Sequence, residues 1–305
     1  MTQLLDAAAT RQVLPAGRLV QALEHVLRDR AVQAPERLMQ PLPGGGTLFL
    51  MPACDERLAI AKLITYTPSN TGGTLPAIQG DVVVFDVATG SRVLVLDGPE
   101  VTARRTACVS LLAAQRLAPN TDGPLLIVGA GAQGMAHLEA FADGLPARHV
   151  FVASRTRASA ERLVERARSL ELSAEIVDDP GARLADCPLV VTCTPANQVV
   201  LAGRMRDDAF VAAVGSFTPR MAELDAALCR DAAVRGRIVL DTAHARHEAG
   251  DLLQAGIDVG ALTTLADVVC GPHEEPRGPV LFKSCGWAGW DLAAARCAMD
   301  AQEPS

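Results

Sequence analysis

The sequence predicts an α/β protein with two differently built parts, and three observations lead to that reading. A glycine-rich turn, Gly129-Ala130-Gly131-Ala132-Gln133-Gly134, separates the apolar run Leu125–Val128 from a stretch in which Met135, Leu138 and Phe141 recur at three-residue steps. From Pro124 onward, short apolar strands alternate with helical patterns, as a parallel sheet requires. Ahead of that, the first third of the chain is strand-rich with short returns, the pattern of a mostly antiparallel sheet. A length of 305 residues accommodates both parts.

Taken in order, residues 4–14 form a short opening segment, and Pro15 can start the next helix. Residues 17–29 carry Leu19, Leu23, Val26 and Leu27 at helical spacing, with Arg18, Glu24 and Arg28 between them. Pro35 ends anything helical; Arg37, a Gly44-Gly45-Gly46 turn and a strand over 47–51 follow. Leu58–Tyr66 (LAIAKLITY) reads as the next strand. Alternate residues share a face there, so Lys62 sits with Leu58, Ile60, Ile64 and Tyr66. A lysine on such a face either snorkels outward or meets an anion. Residues 67–80 form a polar loop, then 81–87 and 92–96 read as two strands joined across Ala88-Thr89-Gly90-Ser91.

Gly98-Pro99 breaks the strand, and Thr102 is a natural N-cap for a long, largely apolar helix ending at Leu117. Arg104 and Arg105 then fall in its first turn, against the favourable sign of the helix dipole. Either they meet a bound anion at that helix end or they form an ordinary salt bridge. Beyond the glycine turn, strands are expected over 149–153, 174–177, 189–193, 209–214 and 238–240, with a helix over 158–170. Residues 251–271 are helical and polar by turns, 273–279 form a proline-rich loop, and 280–299 read as a short turn plus a helix. The domain boundaries that result are 1–117, completed by 280–305, and 118–279.

The glycine turn carries chemistry. Gly129 permits the sharp bend, Gly131 removes the Cβ that would block a phosphate, and Gly134 lets the helix pack close to its strand. The N–H groups of the first helical turn, around Ala132 and Gln133, then face an anion. This is the Rossmann dinucleotide-binding pattern. Ligands of such sheets bind off the carboxyl ends of the strands, which singles out the loops at 193–196 and 214–217 and, within them, Thr194, Val214 and Gly215. The second strand ends VFVASRTRA, without the acid that usually accepts from the adenosine ribose; Ser154, Arg155 and Arg157 stand there instead. A hydroxyl and guanidinium groups suit a 2′-phosphate, so NADPH is the preferred cofactor, with NADH possible.

Bulk properties exclude other classes. Net charge is −7 and the pI about 5.4, which argues against a nucleic-acid partner. No window resembles a membrane span, and the N-terminus lacks a basic start followed by an apolar run, so the expected location is the cytoplasm. The eight cysteines include no C-x-x-C pair and read as buried free thiols. His244 and His247, with Glu248 nearby, lack a third convergent ligand, so no metal is expected. The cationic groups near the expected crevices are Lys62, Arg37, Arg105 and Lys283, an arrangement suited to a small substrate bearing a carboxylate.

The stretches PERLMQPLPGGGTLFLMPA, LAIAKLIT, GDVVVFDVATG, DGPEVTARRTACVSLLAAQRLA, LLIVGAGAQGMAHLEAF and LFKSCGWAGWDLAAA together resemble the ornithine cyclodeaminase/mu-crystallin family over almost the whole chain. The resemblance implies a Rossmann domain plus a strand-rich α/β substrate and dimerisation domain, and a homodimer. It implies Lys62, Arg105 and Arg37 as the active-site cations, the two arginines holding a carboxylate. Cyclodeaminases of the family carry an aspartate in a G-G-D-like turn after the fifth Rossmann strand; here the turn is Gly215-Ser216-Phe217. A phenyl ring cannot shuttle protons. Members with such a turn resemble cyclic ketimine reductases, implying reduction of Δ1-pyrroline-2-carboxylate to L-proline and Δ1-piperideine-2-carboxylate to L-pipecolate. The rival readings are an ornithine cyclodeaminase or alanine dehydrogenase, and a non-catalytic NADPH-binding crystallin-like protein. Phe217 and Trp287 could wall off a charged side chain, and Trp287 could equally be core filler.

Overall fold

The structure, a computed structural model, describes residues 2–70, 75–195, 198–275 and 277–301. Part of the loop expected at 67–80, Ala196 of the expected crevice loop and the last four residues of the tail lie outside the described residues. The chain divides into two compact units, Met1–Arg105 with Trp287–Ser305, and Thr106–Gly286.

The first unit opens with β1 (Gln3–Leu5), α1 (Ala7–Val13) and α2 (Ala16–Arg28). Strands β2 (Leu38–Pro41), β3 (Thr47–Cys54), β4 (Leu58–Tyr66), β5 (Ile78–Asp86) and β6 (Arg92–Asp97) follow, then the long helix α3 (Gly98–Leu117). The sheet order is β1-β6-β5-β4-β3-β2, antiparallel except for the parallel β1–β6 pair. One face is covered by apolar alternation: Phe49, Met51 and Ala53 on β3, Leu58, Ile60 and Ile64 on β4, and Val82 and Val84 on β5 are all buried. α2 buries Leu19, Leu23 and Val26 at helical spacing, and it packs on the C-terminal helix Ala288–Asp300, which also lies against β3 and β4. Gly289 lets Trp287 fold over that helix, since a Cβ there would sit 2.1 Å from its ring. Arg296 of the same helix pairs with Asp29 and Asp55.

Helix α3 starts four residues before the expected Thr102 cap. Asp97 Oδ1 accepts from Glu100 N at 2.7 Å, doing the capping, and Pro99 is tolerated in the first turn because its missing N–H has no intrahelical role there. Arg104 and Arg105 therefore lie in the second turn, and the dipole argument for them lapses. The division between units falls within α3.

The second unit holds β7 (Leu125–Val128), α4 (Ala132–Gly144), β8 (His149–Ala153), α5 (Arg157–Ser169), β9 (Ser173–Ile176) and β10 (Leu189–Thr192). After these come β11 (Phe210–Ala213), α6 (Ala226–Arg235), β12 (Arg237–Leu240), α7 (Gly250–Gln254), β13 (Thr263–Thr264), α8 (Leu265–Cys270) and β14 (Val280–Lys283). Its sheet is parallel throughout, in the order β13-β12-β14-β11-β10-β7-β8-β9. The α/β class holds, with one correction to the tail. Residues 280–283 are not a turn outside the sheet but a central strand between β11 and β12, with every side chain buried. The run Val280-Leu281-Phe282 is short and apolar throughout, as a strand flanked on both sides must be.

The eight cysteines are thiols; Cys270 is exposed and Cys54 half-buried, and the other six are buried as expected. Among the described residues no helix is long and apolar enough to cross a membrane. Trp290 is fully buried under the first sheet. Trp290→Ala should destabilise the protein by about 3–5 kcal/mol, read as a lowered midpoint in chemical denaturation.

Candidate active site

In the first unit, Lys62 lies mid-strand on β4, opposite Met51 and Val82, and is only 1% exposed. It does not snorkel. Its Nζ donates to Asp291 Oδ1 at 3.0 Å and lies 2.8 Å from Oδ2, outside hydrogen-bonding geometry but in Coulombic contact. Arg105 Nε donates to the same Oδ1 at 3.2 Å. Asp291 sits in the first turn of the C-terminal helix, where the dipole favours an acid. Arg37, half-buried just ahead of β2, is close enough for its charge to act on Lys62. Arg104 is turned elsewhere, its Nε donating to Leu14 O at 2.7 Å.

Two cations, Lys62 and Arg105, thus share one carboxylate, and the charge of Arg37 reaches Lys62. Burial pulls the Lys62 ammonium down to a pKa of about 8; the attraction of Asp291 opposes this, while the charges of Arg105 and Arg37 add to it. Two buried cations against one buried carboxylate leave positive charge in excess, which is costly away from water unless a further anion meets it. The structure joins Lys62 and Arg105 through Asp291 and places Arg37 within reach of the Lys62 charge. Asp291 was missed, although a single acid in the apolar run GWAGWDLAAARCAM was the signal for it. Trp287 packs within this unit, its ring edge-on to Trp290 with centroids 5.0 Å apart and its Nε1 donating to Ala34 O at 3.4 Å, which is the core-filler reading.

In the second unit, the strand order reverses at β7 and β10, and the glycine turn leaves the carboxyl end of β7. Gly129 has φ +114°, and a Cβ on it would meet Cys193 O at 2.9 Å; a Cβ on Gly134 would lie 2.0 Å from Gly129 O. Those two glycines are required by close backbone packing. Gly131 differs, since a Cβ there would project into open space. It is also the N-cap of α4 and makes no side-chain capping bond, so the first-turn N–H groups of Ala132, Gln133 and Gly134 present a positive helix end. At the tip of β8, Ser154 is half-buried and Arg155 exposed, while Arg157 is exposed and paired with Glu161 at 3.0 Å.

The loops after β10 and β11 are tied together by a carboxylate the sequence did not single out. Buried Glu223 accepts from Thr194 N at 2.6 Å, Thr194 Oγ1 at 3.0 Å and Gly215 N at 2.6 Å. Burial raises its pKa, against the pull of Lys283 and of the N–H donors. The Thr194 hydroxyl and the Gly215 amide are therefore committed internally. Val214, half-buried between them, extends the β11–β10 pairing by its N–H to Thr192 O at 2.9 Å. Lys283 is equally internal: it is fully buried, donates to Ser216 O at 2.7 Å and Ser216 Oγ at 2.6 Å, and pairs with Asp251 at 2.9 Å. It is no anion-binding cation. Asp251 in turn accepts from the backbone N–H groups of Glu223 and Leu224 and from the Ser216 hydroxyl. Phe217 is half-buried against the second unit's core. Removing the carboxylate in Glu223→Ala strands three part-buried donors and should cost about 2–5 kcal/mol, measurable by denaturant unfolding.

Comparison with known proteins agrees with this architecture. The family model described as ornithine cyclodeaminase/mu-crystallin family matches residues 4–304. Delta(1)-pyrroline-2-carboxylate reductase 2 of Burkholderia ambifaria is 38% identical over 300 residues, covering 97% of this chain and 94% of that protein. The Delta(1)-pyrroline-2-carboxylate/Delta(1)-piperideine-2-carboxylate reductase of Azospirillum brasilense is 40% identical, covering 98% and 95%. Among solved structures, Delta(1)-pyrroline-2-carboxylate reductase of Thermococcus litoralis, in complex with NADH and L-proline, superposes with a TM-score of 0.90 at 22% identity, covering 98% and 97%. The fold is shared at full length, and the chain belongs to the ornithine cyclodeaminase/mu-crystallin family.

Proposed function

We propose that the protein is an NAD(P)H-dependent reductase of small cyclic imino acids, taking Δ1-pyrroline-2-carboxylate to L-proline and Δ1-piperideine-2-carboxylate to L-pipecolate. The observation that carries the reading is the buried pair Lys62 and Arg105 on the single carboxylate of Asp291, which leaves one positive charge over for an anion, with the half-buried Arg37 close by. Relatives 38–40% identical over nearly their whole length bear names for this reaction.

The residues at the glycine turn fit a dinucleotide: the direction in which a Gly131 Cβ would point is open, and α4 offers an uncapped N-terminus beside it. Gly129, Gly131, Ala132, Gln133 and Gly134 would hold the pyrophosphate, and Thr194, Val214 and Gly215 would border the nicotinamide. Ser154 and Arg155, with Arg157 released from its exposed pair, would favour the 2′-phosphate of NADPH over NADH. When bound, the reduced nicotinamide supplies a hydride to the imine carbon.

The chain's own residues do the rest. Arg105 and Arg37 hold the carboxylate and fix the ring plane. Lys62, poised near neutrality, delivers a proton to the ring nitrogen and regains it from water, so one hydride and one proton are added per turnover. Phe217 in the turn where a cyclodeaminase needs a carboxylate favours reduction of a preformed imine over removal of an amine. A cytoplasmic location fits a reaction that draws on NAD(P)H.

The protein would act as a homodimer. The face of the first sheet opposite the C-terminal helix is apolar without being covered: Leu50, Pro52, Ala61, Val83 and Val95 are half-buried and Leu63 is 47% exposed. A second copy of that face is the occupant a homodimer of this family supplies.

Two measurements test these readings. NAD(P)H oxidation with each cyclic imine should be clear in the wild type and fall at least about a hundredfold in Lys62→Ala and in Arg105→Ala. Because Lys62 must enter the reaction protonated, the rate should decline as the pH rises through about 8. Turnover of neither imine, or full activity in both variants, would remove the proposal. For assembly, Leu63→Glu should convert a dimer to a monomer in size-exclusion chromatography with light scattering.

A further inference from the structure

We infer that Asp291 is a positioning residue for imine reduction: it aims Arg105 at the incoming carboxylate and holds Lys62 beside it as the proton donor. The inference rests on the reading given under Proposed function.

The geometry is specific. Asp291 is fully buried and, as a carboxylate, would repel the substrate's own, so it acts through the two cations it holds. It accepts from Arg105 Nε, the one hydrogen bond of that guanidinium among the described residues. Held there, Arg105 keeps its two terminal nitrogens for a carboxylate in the planar, paired geometry that fits one. The same oxygen, Oδ1, also accepts from Lys62 Nζ, and Oδ2 stands 2.8 Å from that nitrogen. One side chain therefore fixes the relative placement of the two cations that would contact substrate. Its location in the first turn of a helix that is buried nearly all round leaves it little freedom to move.

The charged groups facing Lys62 are Asp291 from the C-terminal helix, Arg105 from α3 and Arg37 from the segment before β2. Asp291 alone favours the ammonium; burial and both arginines oppose it. Without the Asp291 charge, nothing offsets those three influences. Lys62 would then give up its proton at a lower pH, and the cluster would hold two arginines beside a neutral amine.

The test is Asp291→Asn, which keeps shape and removes charge. With NADPH and Δ1-pyrroline-2-carboxylate, KM for the imino acid should rise about 10–100-fold while KM for NADPH stays put. The high-pH fall in kcat should move to lower pH by about one unit or more, and lowering the pH should restore part of the rate. A purely structural role would lower thermal stability without moving either KM or the pH profile, and that outcome would overturn the inference. A readout independent of turnover separates this from failure of the activity itself. In protein carrying 13Cε-labelled lysine, with Lys62→Ala assigning the signal, the Lys62 titration should shift to lower pH in Asp291→Asn. An unchanged titration overturns the inference whatever substrate the wild type uses. Should Asp291→Asn fail to fold, Lys62→Met/Asp291→Asn is compared with Lys62→Met. A further rise in imino-acid KM supports the aiming of Arg105, and no change refutes it.

Discussion

The contact between Lys62 and Asp291 is the constraint on which the first unit turns. Desolvating a lysine and an aspartate together is expensive unless they meet in good geometry, and here they meet at 2.8–3.0 Å with Arg105 completing the set. A strand, a helix that begins far away in sequence and the last helix of the chain must all be correctly docked before these charges are matched. Apolar packing by Trp290, Leu23 and Ile60 supplies the bulk of the stabilisation, but many arrangements of apolar surface are nearly equal in energy. Only one arrangement satisfies the three charges. The positive charge left over beside Asp291 makes the cluster costly as pure architecture.

The second unit handles its buried polar groups differently. Glu223, Lys283, Ser216 and Asp251 form a closed set in which donors and acceptors are matched within the protein. Nothing in that set is left over for a ligand; its effect is to fix where the backbone after β10 and β11 runs. What this unit leaves open is backbone, at Gly131 and the first turn of α4, where no side chain fills the space. One unit thus offers charged side chains and the other a shaped main chain, a division of labour that suits a small acid and a large dinucleotide.

Much of this was legible from the residues alone, for reasons that are local. The glycine turn announces itself because each glycine answers a separate steric demand within six residues. Lys62 stood out because a charge interrupted an alternating apolar strand. What was not legible depended on partners distant in sequence. Asp291 is 229 positions from Lys62, and no local rule links them. Glu223 lies in an undistinguished stretch, and its importance comes from two loops that only the sheet brings together. The start of α3 was misread because Thr102 is a good cap in isolation, whereas Asp97, at the end of a strand, had already closed the helix. Val280–Lys283 was read as a turn because four residues are too few to display a period, and its place in the sheet is a matter of topology.

That late strand has a bearing on how the chain comes to be folded. With β14 lodged between β11 and β12, the parallel sheet is split until residue 283 has been made, and the two edges awaiting it stay unpaired on the nascent polypeptide. The other sheet waits as well, because its covering helix ends at residue 300. Neither half can reach its native form until these late segments have been made, and in that interval strand-edge association with neighbouring chains competes with folding.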